Sequence, residues 1–171
     1  AAVDTAPRTG KEAMRRPAWP KWREAMEKEI QSHHKHGTWT LVDNPNNGSP
    51  IIPGLWQFAI KLDKFGNILK YKARWCARGD LQEKDSRDAY AGTVRVSSLR
   101  LVYSISSSGT WLHAVCDVTA AYLQTPMPDD KPVYMHQPQM FNDHSNRILK
   151  LLLNLWGTRM AARNWQKDLV A

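Results

Sequence analysis

The residues of this 171-residue chain whose types and spacing could do chemistry are Asp117, Tyr122 and the alternating cations Lys72, Arg74 and Arg78. Asp117 closes an apolar run over 111–118, which reads as a strand, and opens the helix-like stretch 119–123. A carboxylate in that place has two readings. It caps the following helix by accepting an amide N–H one or two residues on, or it offers hard oxygens to a divalent cation. On local sequence alone the cap comes first. In the strand-like run 68–78, Lys72, Arg74, Cys76 and Arg78 fall on one side, and Tyr71, Ala73, Trp75 and Ala77 on the other. Three cations on one strand face repel one another unless an anion neutralises them, and charge-assisted donors of this kind suit phosphate. A solvated face is the bland alternative. The aromatic bulk opposite, which supplies the core side, favours the functional one.

The charge pattern supports a polyanionic partner. The net charge is +8, which attracts polyanions at long range. Between Trp56 and Arg100 ten Lys/Arg face five Asp/Glu; from Leu101 to Ser145 the balance reverses, with Asp117, Asp129, Asp130 and Asp143 against Lys131 alone; beyond Asn146 it is basic again. An acidic interval between two basic ones is what a metal-dependent enzyme acting on phosphates needs, although a solvated surface can produce the same count. Cys76 and Cys116 form no C-x-x-C pair, so neither a disulfide framework nor a thiolate zinc site is indicated. His33, His34 and His36 read as helix-end residues favoured by the dipole rather than as metal ligands. No apolar run is long enough to cross a bilayer and the first residues are polar, so a reducing, intracellular setting is expected, with cytoplasm and nucleus not distinguished.

The elements that must position these residues follow from pattern. Thr9 with Glu12 fits a capping box for a short helical turn before Pro17. Pro20 suits the start of a second helix, whose Trp22, Met26 and Ile30 form one apolar stripe, with Gly37 as its C-cap. A short strand is expected at 38–42, a loop at 44–53, and a hairpin of 55–62 with 68–78 joined through Asp63-Lys64-Phe65-Gly66-Asn67. After a loop at 83–92, residues 97–108 read as a helix striped by Leu99, Val102 and Ile105. Short strands at 133–136 and 148–153 and a last helix at 158–170 complete an α+β pattern.

Taken together, these pieces resemble the copia-type (LTR retrotransposon) reverse transcriptase domain. Lys21-Trp22-Arg23-Glu24-Ala25-Met26 and Gly37-Thr38-Trp39-Thr40-Leu41-Val42 look like its opening. Trp56-Gln57-Phe58-Ala59-Ile60-Lys61, Tyr71-Lys72-Ala73-Arg74 and Ala77-Arg78-Gly79 look like its fingers hairpin. Asp117-Val118 with Ala121-Tyr122-Leu123, then Val133-Tyr134-Met135, Gln137-Pro138 and Leu155-Trp156-Gly157, follow in the family's order. The match runs from about Lys11 onward.

The resemblance implies a fingers–palm architecture, truncated: a tail over 1–10, fingers over about 11–92 and the start of the palm over about 93–171. It implies RNA-templated DNA synthesis on an RNA or DNA template–primer with deoxynucleoside triphosphates, and Mg²⁺ as cofactor in an intact relative. Asp117 would be the catalytic, metal-binding carboxylate and Tyr122 the ring that floors the sugar site, side by side and facing the cationic hairpin. Lys72 and Arg74 would approach the triphosphate, Gly157 would let nucleotide come close to bare backbone, and Arg78, Arg159 and Arg163 would meet nucleic-acid phosphates. Trp75-Cys76, Gly92, Thr158 and Met160 depart from the family's usual residues. Its second palm motif, two adjacent aspartates on a tight hairpin, is not found; Asp129-Asp130 lies between prolines, as a loop does. The chain is therefore expected to be inactive alone, and a catalytically dead nucleic-acid-binding remnant is the alternative. Oligomeric state is not legible.

Overall fold

A computed structural model describes residues 5–46, 48–83 and 90–170. Lys84, Asp85, Arg87 and Asp88, which enter the charge pattern above, lie outside the described residues.

Helix α1 (Gly10–Met14) starts where Thr9 Oγ1 accepts the Glu12 N–H at 3.1 Å, as the capping pattern requires. Helix α2 (Trp19–His36) carries Pro20 in its first turn, buries Trp22, Met26, Ile30 and His33, and ends on Gly37 at φ 63°. That left-handed cap is cheap only without a Cβ. His33 is held by its neighbours: Nδ1 lies 3.2 Å from Thr38 Oγ1, Nε2 lies 3.4 Å from Glu29 Oε1, and the ring lies against Trp39 with centroids 4.8 Å apart. It ties α2 to the strand that follows.

Two sheets flank the helix. Strands β1 (Trp39–Val42), β6 (Ile148–Leu151), β5 (Tyr134–Met135) and β2 (Ile51–Ile52) form a four-stranded sheet in the order β1-β6-β5-β2. Its pairs are antiparallel except β2 with β5. β2 falls in the stretch expected to be a loop; a two-residue strand is too short to show a period and is specified by its parallel partner instead. The hairpin of β3 (Gly54–Leu62) and β4 (Ile68–Ala77) is a separate antiparallel pair, close to its expected bounds. Met26 and Ile30 from α2, Ile52, Trp56, Ala73, Trp75 and Ala77 from the strands, and Leu149, Leu151 and Leu155 meet in one core. Both sheets and α2 are thus joined by apolar burial.

Helix α3 (Val96–Ser107) forms as its stripe predicts, yet none of its side chains is buried. The expected strand at 111–118 does not form: the backbone there is irregular, and Trp111, Leu112 and Val115 are exposed. A strand needs a ladder partner for its amides, and no strand among the described residues pairs with this run. The stretch after it is a 3₁₀ turn, Ala121–Gln124, capped by Ala120 rather than by Asp117. The final helix, α4 (Ala161–Leu169), is shorter than the sequence suggests because the turn at 155–160 occupies its expected start. The architecture is mixed helix and sheet, α+β in class.

Candidate nucleotide and nucleic-acid site

The segment after β6 is threaded back onto the end of β4. The Ala77 N–H donates to the Trp156 carbonyl at 2.7 Å, and the Arg159 N–H donates to Gln82 Oε1 at 2.9 Å. Gly157 has φ 86°, and a Cβ there would stand 2.2 Å from the Ala77 carbonyl oxygen. A Cβ on Gly79 would stand 2.0 Å from the Gly157 carbonyl oxygen. Two glycines are therefore required where two backbones touch. The bare backbone of Gly157 serves first to let β4 in.

This docking brings three side chains into a row. The Arg74 guanidinium carbon lies 4.5 Å from the Trp156 ring centroid, and the Tyr122 ring lies against the other aromatic with centroids 4.3 Å apart at 59°. A cation over an indole face is attracted by the ring quadrupole. Tyr122, Trp156 and Arg74 are each only partly exposed. The structure thus links Tyr122 to Arg74 of β4 through a tryptophan that composition and spacing did not single out as functional. The signal available was an aromatic residue directly before a turn glycine.

Asn154 supports the row from beneath. It is fully buried; its Nδ2 donates to the carbonyls of Thr125 at 3.0 Å and Pro126 at 2.9 Å, and its Oδ1 accepts from Asn164 Nδ2 at 3.0 Å. These bonds fix the chain just after Tyr122 to the chain just before Trp156 and to α4. Ala120, at φ 52°, stores the strain of a left-handed alanine beside Tyr122.

The cationic face is real but unequal. Lys72 is partly buried, and burial, then the neighbouring charges of Arg74, Lys61 and Lys70, push its ammonium below the usual lysine range, against the pull of Glu29. Cys76, on the same side, is buried, and burial pushes its thiol up to about 11, so it is no nucleophile at neutral pH. Arg78 is already bound to Asp80, Nε to Oδ1 at 2.8 Å and one terminal nitrogen to Oδ2 at 2.7 Å. Arg159 lies on the turn and Arg163 on α4, both partly exposed. Asp117 is exposed in irregular backbone. Among the described residues no group of three His, Cys, Asp or Glu side chains could hold a metal ion. One exposed carboxylate does not fit a pair of Mg²⁺ ions, whose charge needs several hard oxygen ligands. No helix among the described residues is long and apolar enough to cross a membrane.

Residues 36–171 match the family model described as reverse transcriptase (RNA-dependent DNA polymerase), and the chain belongs to that family. Its relatives are retrotransposon polyproteins. It is 33% identical over 98% of its length to a retrovirus-related Pol polyprotein from transposon RE1 of Arabidopsis thaliana, covering 11% of that protein. It is 31% identical to the corresponding polyprotein from transposon RE2 of the same plant, over 98% of the chain and 12% of the relative. Against the polyprotein from transposon TNT 1-94 of Nicotiana tabacum it is 30% identical over 95% of the chain and 12% of the relative. The chain thus spans about a tenth of the length of the curated relatives it matches. No solved structure matches it. The copia-type resemblance read from the sequence agrees with these relatives.

Proposed function

We propose that this chain is the fingers, over about 11–92, and the opening of the palm, over about 93–171, of an RNA-directed DNA polymerase from a retrotransposon Pol polyprotein. By itself it grips nucleotide and template–primer without joining nucleotides. The observation that carries the reading is the row Arg74–Trp156–Tyr122, which sets a phosphate-seeking cation and a sugar-sized aromatic floor at one place. Lys72 and Arg74 meet the triphosphate; because Lys72 is crowded by like charges, an anion there relieves repulsion as well as gaining hydrogen bonds. Tyr122 floors the sugar, and Gly157 keeps the turn low beside it. Arg159 and Arg163 meet backbone phosphates, as does Arg78 once it exchanges Asp80 for phosphate. Asp117 is the carboxylate an intact relative would use with Mg²⁺.

The small donor set around Asp117 favours a second reading, a nucleic-acid-binding remnant that does no chemistry. Binding separates the two. Nucleotide titrated onto a template–primer complex should be held more tightly when it matches the template base if the pocket is nucleotide-competent, and indifferently if only the remnant survives. In both, Lys72→Ala with Arg74→Ala weakens binding and flattens its salt dependence, while Asp117→Asn does not. Primer extension with Mg²⁺ should give no product. Extension that depends on Asp117 would overturn the claim that the chain only grips.

A further inference from the structure

The far end of the β3–β4 hairpin points away from the row at Trp156 and carries a different kind of surface. Phe65 is 76% exposed and Leu69 71% exposed there. Such residues are normally costly in water, yet the turn that presents them is built firmly. Asp63 Oδ1 accepts the N–H groups of Phe65 and Asn67, each at 2.8 Å, and Oδ2 accepts Asn67 Nδ2 at 3.0 Å. Backbone bonds Asp63 N–H to Asn67 O at 2.9 Å and Gly66 N–H to Asp63 O at 3.1 Å close the loop, with Gly66 at φ 86°. These bonds fix the backbone that presents the Phe65 ring to solvent.

Around it lie three lysines, Lys61, Lys64 and Lys70. Lys61 stands directly across from Lys70 in the ladder, an unfavourable like-charge pair. Lys64 Nζ lies 5.0 Å from the Phe65 centroid. Asp63 has its carboxylate oxygens committed to the turn, and of the two carboxylates that line the groove beside Leu69 and Lys70, Glu24 and Glu29, Glu24 is paired with Lys28 at 2.6 Å. We infer that this tip is a stacking site for an unpaired base of single-stranded nucleic acid, with Phe65 as the platform and Lys61, Lys64 and Lys70 meeting the flanking phosphates. A π face among cations suits a polymer that alternates flat bases with phosphates, whereas an apolar protein surface would have to bury three lysines to reach the ring. The inference rests on the nucleic-acid reading above but not on the cluster at Trp156.

The test uses the whole chain with a short oligothymidylate carrying one 2-aminopurine, and a duplex of the same length, read by anisotropy and by 2-aminopurine emission. The single strand should bind with quenching of the 2-aminopurine. Phe65→Ala should weaken that binding about ten-fold and abolish the quench. It should leave duplex binding and thermal unfolding unchanged, and Phe65→Trp should restore both signals. If Phe65→Ala binds the single strand as the parent does, or loses single strand and duplex equally, the stacking site is wrong while the nucleic-acid reading stands. If the parent binds neither polymer, both fail.

Discussion

Arg74 and Trp156 touch at 4.5 Å, guanidinium carbon to ring centroid, and that contact joins strand β4 to the turn at 155–160. If the contact is energetic rather than incidental, Arg74→Gln and Trp156→Leu should not be additive. A double-mutant cycle in urea should give a coupling of about 1 kcal/mol, the range for a partly desolvated cation–π pair.

The backbone crossing that permits this contact can be tested at its glycines. Gly157→Ala and Gly79→Ala each force a Cβ against a carbonyl oxygen at 2.2 Å and 2.0 Å, and each should cost at least about 2 kcal/mol in chemical denaturation. Gly37→Ala meets nothing within 4 Å and strains only its φ of 63°; about 1 kcal/mol is expected. Equal losses at all three positions would contradict the crossing.

Asn154→Leu keeps the volume but removes the donor to the Pro126 carbonyl and the acceptor for Asn164. The Thr125 carbonyl keeps the Asn154 backbone N–H at 2.9 Å. Leaving the buried Asn164 amide and the part-buried Pro126 carbonyl unpaired should cost about 2 kcal/mol, measured from urea unfolding of the variant and its parent.

The exposed face of α3 makes the opposite forecast. Leu101→Ala and Ile105→Ala, at positions 60% and 62% exposed, should each shift the unfolding free energy by less than about 0.5 kcal/mol. Leu149→Ala, 2% exposed in β6, should cost about 3 kcal/mol. A large loss at Ile105 would show that α3 is packed.

The hairpin tip should respond to acid. The hydrogen bonds that Asp63 accepts, from the Asn67 side chain first and then from backbone amides, hold its carboxyl below the usual range. A carboxyl depressed in the folded state contributes order that is present above its unfolded value and lost as pH falls through its folded one. Amide exchange at Phe65 and Asn67 should therefore be slow, after correction for intrinsic rates, at neutral pH and rise only in strong acid. In Asp63→Ala it should be fast at every pH.

Much of this protein was legible as local chemistry. The stripe Trp22–Met26–Ile30, the glycine that ends α2 and the alternation along β4 are short-range patterns, and each determines its own element because its period matches a helix or strand. The family resemblance, too, lay in the order of short motifs. What sequence could not decide depends on partners distant along the chain. The run at 111–118 has the letters of a strand but no ladder to join among the described residues, and Trp111, Leu112 and Val115 are exposed. Asp117, read first as a cap, caps nothing because the turn begins at Ala120. Gly157 was legible as a turn glycine, but that Ala77 fills the space above it is a fact of tertiary contact. The row of Arg74, Trp156 and Tyr122 exists only because that contact closes, and no spacing within a single element encodes a meeting between a strand, a turn and a loop.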